Sequence, residues 1–155
     1  MELTIITGIR KMSVMGTISR NFSYHEFEAS GVSKSKGIVN KIDSDDVRNA
    51  IRALVLNVLQ PLRDHWGAPL QINSGFRCLE LNRAVGGVPT SQHLKGEAAD
   101  VACSEPHKLA SLALQLKLPF DQIILYPAFV HFSYRNNGQQ RGEILYSSTY
   151  KGLKL

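Results

Sequence analysis

Three side chains have the types and spacing to hold a transition metal: His93, Asp100 and His131. The first two lie in Ser91-Gln92-His93-Leu94-Lys95-Gly96-Glu97-Ala98-Ala99-Asp100. If Gly96-Glu97 is a two-residue turn, residues 91–101 form a hairpin and His93 stands opposite Asp100. Opposed residues on one face of a hairpin have Cβ atoms about 4.5–5.5 Å apart. An imidazole nitrogen and a carboxylate oxygen can then converge on one ion at about 2.0–2.2 Å, with Gly96 supplying the backbone freedom of the turn. In Phe129-Val130-His131-Phe132-Ser133-Tyr134, His131 shares a face with Ser133, while Val130, Phe132 and Tyr134 make an apolar, core-like face. A His/Asp/His set leaves a fourth tetrahedral position for water, as in a catalytic zinc site. By spacing alone, the same residues also fit an ordinary hydrogen-bonded His–Asp pair. His25, His65 and His107 have no matching carboxylate pattern and are read as solvated.

These residues need elements to position them. Ser23 followed by Glu26 is the reciprocal capping pattern of a short helix over 21–28. Residues 30–41 are polar, contain Gly31 and Gly37, and read as a loop. The strongest helical signal runs from Asp45 to Trp66. Ser44 caps it, Asp45 and Asp46 suit its positive end, and Val47, Ile51, Leu54, Val55, Val58, Leu59 and Leu62 recur at helical spacing. Pro61 is expected to kink its last turn and Gly67 to end it. A strand over 70–73 follows, then a short helix or turn over 78–86. A second helix opens at Ser104 and Pro106, with Leu109, Leu112, Ala113 and Leu116 on its apolar face. Strands are expected over 121–126, 129–134 and 143–146, with Asn136-Asn137-Gly138 as a turn. The order predicts an α+β fold: one compact domain, helices packed on a small antiparallel sheet.

Composition narrows the classes. The 155 residues make one domain, 43% hydrophobic and 20% charged, which excludes a chain disordered throughout. No run approaches the roughly 18 apolar residues of a membrane span. The net charge of +5 favours polyanionic surroundings, but the basic residues are dispersed and not interleaved with aromatics, so no nucleic-acid partner is expected. No C-x-x-C is present, which excludes a cysteine zinc site; Cys78 and Cys103 read as small, partly buried thiols, with a disulfide left open. Residues 1–20 read as a leader or a strand, and 21–155 as the domain. The leader lacks the pattern of a secretory signal, so cytoplasmic synthesis is the expectation.

The pattern Ser91-x-His93-x-x-Gly96-x-Ala98-x-Asp100, preceded by Asn73-Ser74-Gly75-Phe76-Arg77 and followed by Val130-His131, resembles the zinc D-Ala-D-Ala carboxypeptidase family of peptidoglycan peptidases. The resemblance runs from about Phe22 to Tyr146. It implies the fold shared with the Hedgehog signalling domain, and hydrolysis of D-amino-acid-containing peptide bonds in peptidoglycan stems or cross-links. Peptidoglycan peptides are then the partners. Endolysin-like members suggest a phage-encoded protein released to the cell wall. Matched residue by residue, His93, Asp100 and His131 are the zinc ligands, Arg77 is the arginine that contacts substrate beside the metal, and Ser91 is the motif serine, bonded to a ligand or to substrate.

One departure bears on catalysis. Relatives place an acidic general base shortly before the last histidine, whereas here that stretch is Leu125-Tyr126-Pro127-Ala128-Phe129-Val130. The nearest upstream acid is Asp121. If Tyr126 pairs with Phe129, Ile124 opposes His131, Gln122 and Tyr126 share the His131 face, and Asp121 points away. With a three-residue loop, Asp121 comes to that face instead. The even count is preferred, leaving Tyr126 and Gln122 as the groups nearest the metal. A catalytically impaired wall-binding module of the same fold is the alternative function.

Overall fold

A computed structural model describes residues 16–155. Readings that fall on residues 1–15 lie outside the described residues. Strands β1 (Thr17–Ser19) and β2 (Phe22–Ser23) form a short antiparallel ribbon. Ser19 and Asn21 both donate to Gln60 Oε1, tying this ribbon to the long helix behind it. The last residues of the expected leader are thus part of the folded unit.

Helix α1 (Tyr24–Glu28) starts where the capping pattern predicts, with Ser23 N–H donating to Glu26 at 2.9 Å. The segment read as a loop contains helix α2 (Gly31–Lys36). Ser30 accepts from Ser33 N–H at its start, and Gly37, at φ 66°, closes its end. It carries no apolar stripe, so periodicity gives no sign of it, and caps alone define it.

The predicted long helix comprises α3 (Asp45–Leu54), a π-helical turn at Val55–Leu59, and α4 (Gln60–Trp66). Ser44 caps it and Gly67 ends it in the left-handed region. The wider turn directly precedes Pro61, which has no N–H for the ladder and whose ring would crowd the preceding turn of a regular helix. Ile51, Leu54, Val55, Val58, Leu59 and Leu62 are fully buried along it. Each such side chain contributes roughly 1.5–3 kcal/mol by leaving water.

This stripe meets one face of a five-stranded sheet in the order β3-β4-β6-β5-β7. The strands are β3 (Ile72–Ser74), β4 (Ala98–Ala102), β5 (Gln122–Leu125), β6 (Phe129–Ser133) and β7 (Glu143–Tyr146). Helix α5 (Leu79–Ala84) follows β3, and α6 (Pro106–Gln115) follows β4 with Leu109, Ala110 and Ala113 buried. Val101, Val130, Phe132, Ile123 and Leu125 form the buried face of the sheet. Alternation therefore turns Asp100 and His131 to the opposite face. The fold is α+β, as expected, with one difference: β7 runs parallel to β5, so the sheet is mixed. The chain leaves β6, passes the start of β5, and adds β7 on its far side.

The expected hairpin at 91–101 does not form. Gln92–Lys95 is a 3-10 turn capped by Ser91, and only Ala98–Ala102 is a strand. Gly96 lies at φ +76°, where a Cβ would meet Val47 O at 2.7 Å and Ile51 Cγ1 at 3.0 Å. The close approach to α3 selects a tight turn over a second strand. Cys78 and Cys103 are free thiols.

Gly96→Ala combines left-handed strain with a backbone clash. It is expected to cost about 2–3 kcal/mol, a fall in melting temperature of about 5–10 °C by circular dichroism. An unchanged melting temperature would show that the turn yields freely.

Candidate metal centre and its supports

Asp100 and His131 are direct lateral partners on β4 and β6. His93 reaches the same place from the 3-10 turn. One donor atom from each of the three lies within 4.8 Å of the others. His131 Nδ1 is 2.8 Å from Asp100 Oδ1 and His93 Nε2 is 3.4 Å from it. The two imidazoles meet edge to face, centroids 5.2 Å apart. Bonds of about 2.0–2.1 Å at tetrahedral angles separate donors by about 3.3–3.4 Å. The His93–Asp100 separation already equals that edge. The His131–Asp100 hydrogen bond would open by about half an ångström to match it. The donor set thus fits a small tetrahedral cation.

The residues around the triad fix its chemistry. His93 Nδ1 donates to Gly75 O at 2.7 Å, which leaves Nε2 as the free lone pair facing Asp100. Burial, resisted by Asp100, lowers the His93 pKa and keeps its ring neutral, the form that binds metal. Burial pushes the Asp100 carboxyl up, but its hydrogen bond with His131, the strongest of its interactions, outweighs this and holds the group well below the usual carboxylate range. Ser91 Oγ accepts from His93 N–H at 3.2 Å, so the motif serine caps the turn that carries the histidine.

The run Ser74-Gly75-Phe76-Arg77 has a part for each residue. Ser74 Oγ accepts from Arg77 Nε at 3.1 Å, and Gly75 supplies the carbonyl for His93. A Cβ at Gly75 would lie 2.6 Å from the ring of Phe27. Phe76 N–H donates to Phe27 O at 2.8 Å, and Arg77 N–H to His93 O at 3.1 Å. The Arg77 guanidinium stands 3.6 Å from Asp100 Oδ2 and donates to Asn82 Oδ1 at 3.3 Å. Burial draws its pKa down while Asp100 and Tyr126 raise it. Asn82 and Gln92 take part in this arrangement without being singled out in the sequence. Gln92 sits inside the motif, which is the one hint of its role; Asn82 leaves none.

The loop between β5 and β6 has the even count. Tyr126 N–H donates to Phe129 O at 3.0 Å, and Ile124 pairs with His131. Tyr126 therefore shares the His131 face, stacked on Phe129 with centroids 4.1 Å apart. Burial raises its pKa, Asp100 adds to the rise, and Arg77 opposes it, so its hydroxyl senses both charges of the site. Gln122 lies on the same face but donates to Glu143 at 2.8 Å. Asp121 is fully buried at the start of β5. Its oxygens accept from Arg141 Nη2 at 2.7 Å, Arg141 N–H at 2.8 Å and Gln92 Nε2 at 3.1 Å, with Arg135 Nε at 3.3 Å. Asp121 thus fastens the crossover to β7 and, through Gln92, the turn that carries His93. Glu97, which the sequence placed in a turn, accepts from Gln92 and from Asn136 N–H.

Residues 20–133 match the Peptidase M15 family, and the chain belongs to it: the zinc D-Ala-D-Ala carboxypeptidase-type peptidases. A peptidase role on cell-wall-related substrates follows from that membership. A search of curated protein sequences returns no match to the chain. None of the helices among the described residues is long and apolar enough to cross a membrane.

Burial raises the Asp121 carboxyl, but the bonds from Arg141 prevail and hold it below its ordinary value. Its contribution is therefore present above the unfolded value of about 3.9 and is lost as pH falls through the lower folded value. Asp121→Asn is expected to cost about 2–3 kcal/mol at neutral pH. The gap in melting temperature between variant and wild type should narrow below about pH 4. A gap independent of pH would assign the loss to packing alone.

Proposed function

We propose that this chain is a zinc-dependent peptidase that hydrolyses D-amino-acid-containing peptide bonds in peptidoglycan stems or cross-links. The observation that carries the reading is the convergence of His93, Asp100 and His131 beside Arg77 on the outer face of the sheet. His93, Asp100 and His131 would hold the ion. The chemistry a bound zinc supplies is Lewis acidity toward water and toward a peptide carbonyl. Arg77 offers a planar pair of donors to the substrate's carboxylate or to charge developing on its carbonyl oxygen. Asn82 and Ser74 hold that guanidinium in place. Tyr126, in the stretch where relatives carry an acid, orients water and donates its hydroxyl proton to developing negative charge. Asp121, bound to two arginines, braces the scaffold and abstracts no proton.

The missing acid favours a second reading, a wall-peptide-binding module without turnover. Isolated peptidoglycan incubated with the protein, with and without a chelator, separates the two. Chelator-sensitive release of new amines is expected; binding without release would favour the module.

Three further outcomes are expected. The protein purified without chelator carries one zinc per chain by elemental analysis, and the His93→Ala, Asp100→Ala double variant carries none; full retention would dismiss the site. Arg77→Lys retains zinc but loses most activity, because lysine keeps the charge without the two-point geometry. Tyr126→Phe lowers the rate about 100-fold, and a larger loss of rate in Asp121→Asn at matched stability would move proton transfer to Asp121.

A further inference from the structure

The row of residues that carries Asp100 and His131 continues past them. Asp100 pairs laterally with His131, His131 with Ile124, and Ile124 with Leu145. Lateral partners share a face, and neighbouring strands lie about 4.7–4.9 Å apart. Ile124 therefore stands one strand, and Leu145 two strands, beyond His131 on the same outer surface. Leu145 is 42% exposed and Ile124 is half-buried. One pair along, Tyr126 and Phe129 add a flat stacked aromatic surface. An outward position on an edge strand ordinarily carries a polar residue, as Glu143 does on β7. The C-terminal residues do not cover this strip: Leu155 N–H reaches Tyr146, a lateral partner of Leu125 on the buried face.

The opposite flank of the triad has the other character. Ser74, paired with Asp100 across β3 and β4, and the Arg77 guanidinium make that side polar and cationic. A peptide lying across the triad thus meets a cation on one side and aliphatic side chains on the other. We propose that Ile124 and Leu145 form a subsite for an apolar side chain of the peptide, on the side of the scissile bond away from Arg77. The proposal rests on the peptidase reading for the place of that bond. Successive Cα atoms are about 3.8 Å apart, so a carbonyl held at the triad brings the neighbouring side chain over Ile124, within one strand of Leu145. The substrate class is a peptide with its carboxylate or carbonyl toward β3 and an aliphatic residue over β5 and β7. Strand β7 lies beyond the residues that match the family, so this wall comes from the chain's own C-terminal region.

The test uses zinc-loaded protein with labelled isoleucine and leucine methyls. The probes are N-acetyl-D-Leu-D-Ala and N-acetyl-D-Glu-D-Ala, which share a free terminal carboxylate. The leucyl probe is expected to shift the Ile124 and Leu145 methyl resonances and to bind about tenfold more tightly than the glutamyl probe. Leu145→Ser should remove most of that preference with zinc content and melting temperature unchanged. The proposal is overturned if the Ile124 and Leu145 methyls stay still at concentrations of the leucyl probe that saturate its binding, or if Leu145→Ser keeps the preference. It is also overturned if the methyls shift on dilution alone, which would mean that a second copy covers the face. Methyl shifts and preference without cleavage of any wall peptide would uphold the subsite and remove the peptidase reading.

Discussion

A carboxylate almost out of water is the constraint on which this structure turns. Asp100 is 8% exposed in the middle of β4, where an unpaired negative charge would be prohibitively costly. Everything near it acts as compensation. His131 comes from the next strand, His93 from a tight turn, and Arg77 from the end of β3. Each arrives by a different element, so the sheet register, the 3-10 turn and the Ser74–Arg77 run must all be correct together. Burial pushes the carboxyl up, but its bond with His131 holds it well below its ordinary range, while burial keeps His93 neutral. The same two conditions suit a cation better than a proton.

A second buried carboxylate does the opposite work. Asp121 is enclosed by Arg141, Arg135 and Gln92, with its charge spent on the backbone and side chains of the crossover. Both acids are depressed, yet one faces imidazoles on an open sheet face and the other faces guanidiniums at a strand's end. Partner type and placement therefore separate the acid of the candidate metal site from a structural one; burial and the direction of the shift do not. Gln92 connects the two, since it bonds to Asp121 and precedes His93 in the chain.

The parts of this molecule that were legible in sequence are those governed by local periodicity or capping. The Asp45–Trp66 stripe, the Ser23–Glu26 cap and the alternation around His131 are of this kind, and each is found where expected. The count of residues between β5 and β6 follows from pairing Tyr126 with Phe129. The Gly96 segment misled because its glycine answers to Val47 and Ile51, residues of a distant helix, and not to a hairpin partner. Helix α2 has no apolar face to announce it, and the parallel direction of β7 depends on ion pairs around Asp121 that no spacing encodes. His93 and Asp100 still meet, because a turn followed by a strand brings them together about as closely as two strands would.

The added strand has a colloidal consequence. Without β7, β5 would end the sheet with its backbone donors and acceptors open to solvent. With it, the two outer strands are three and four residues long. Short borders give a foreign chain little length along which to dock and extend the ladder. Arg135 and Arg141, besides holding Asp121, place positive charge beside the newer border. The crossover thus replaces a border of Gln122-Ile123-Ile124-Leu125 with one whose first residue, Glu143, and whose neighbours Arg135 and Arg141 are charged, and charge at an exposed border discourages ordered self-association.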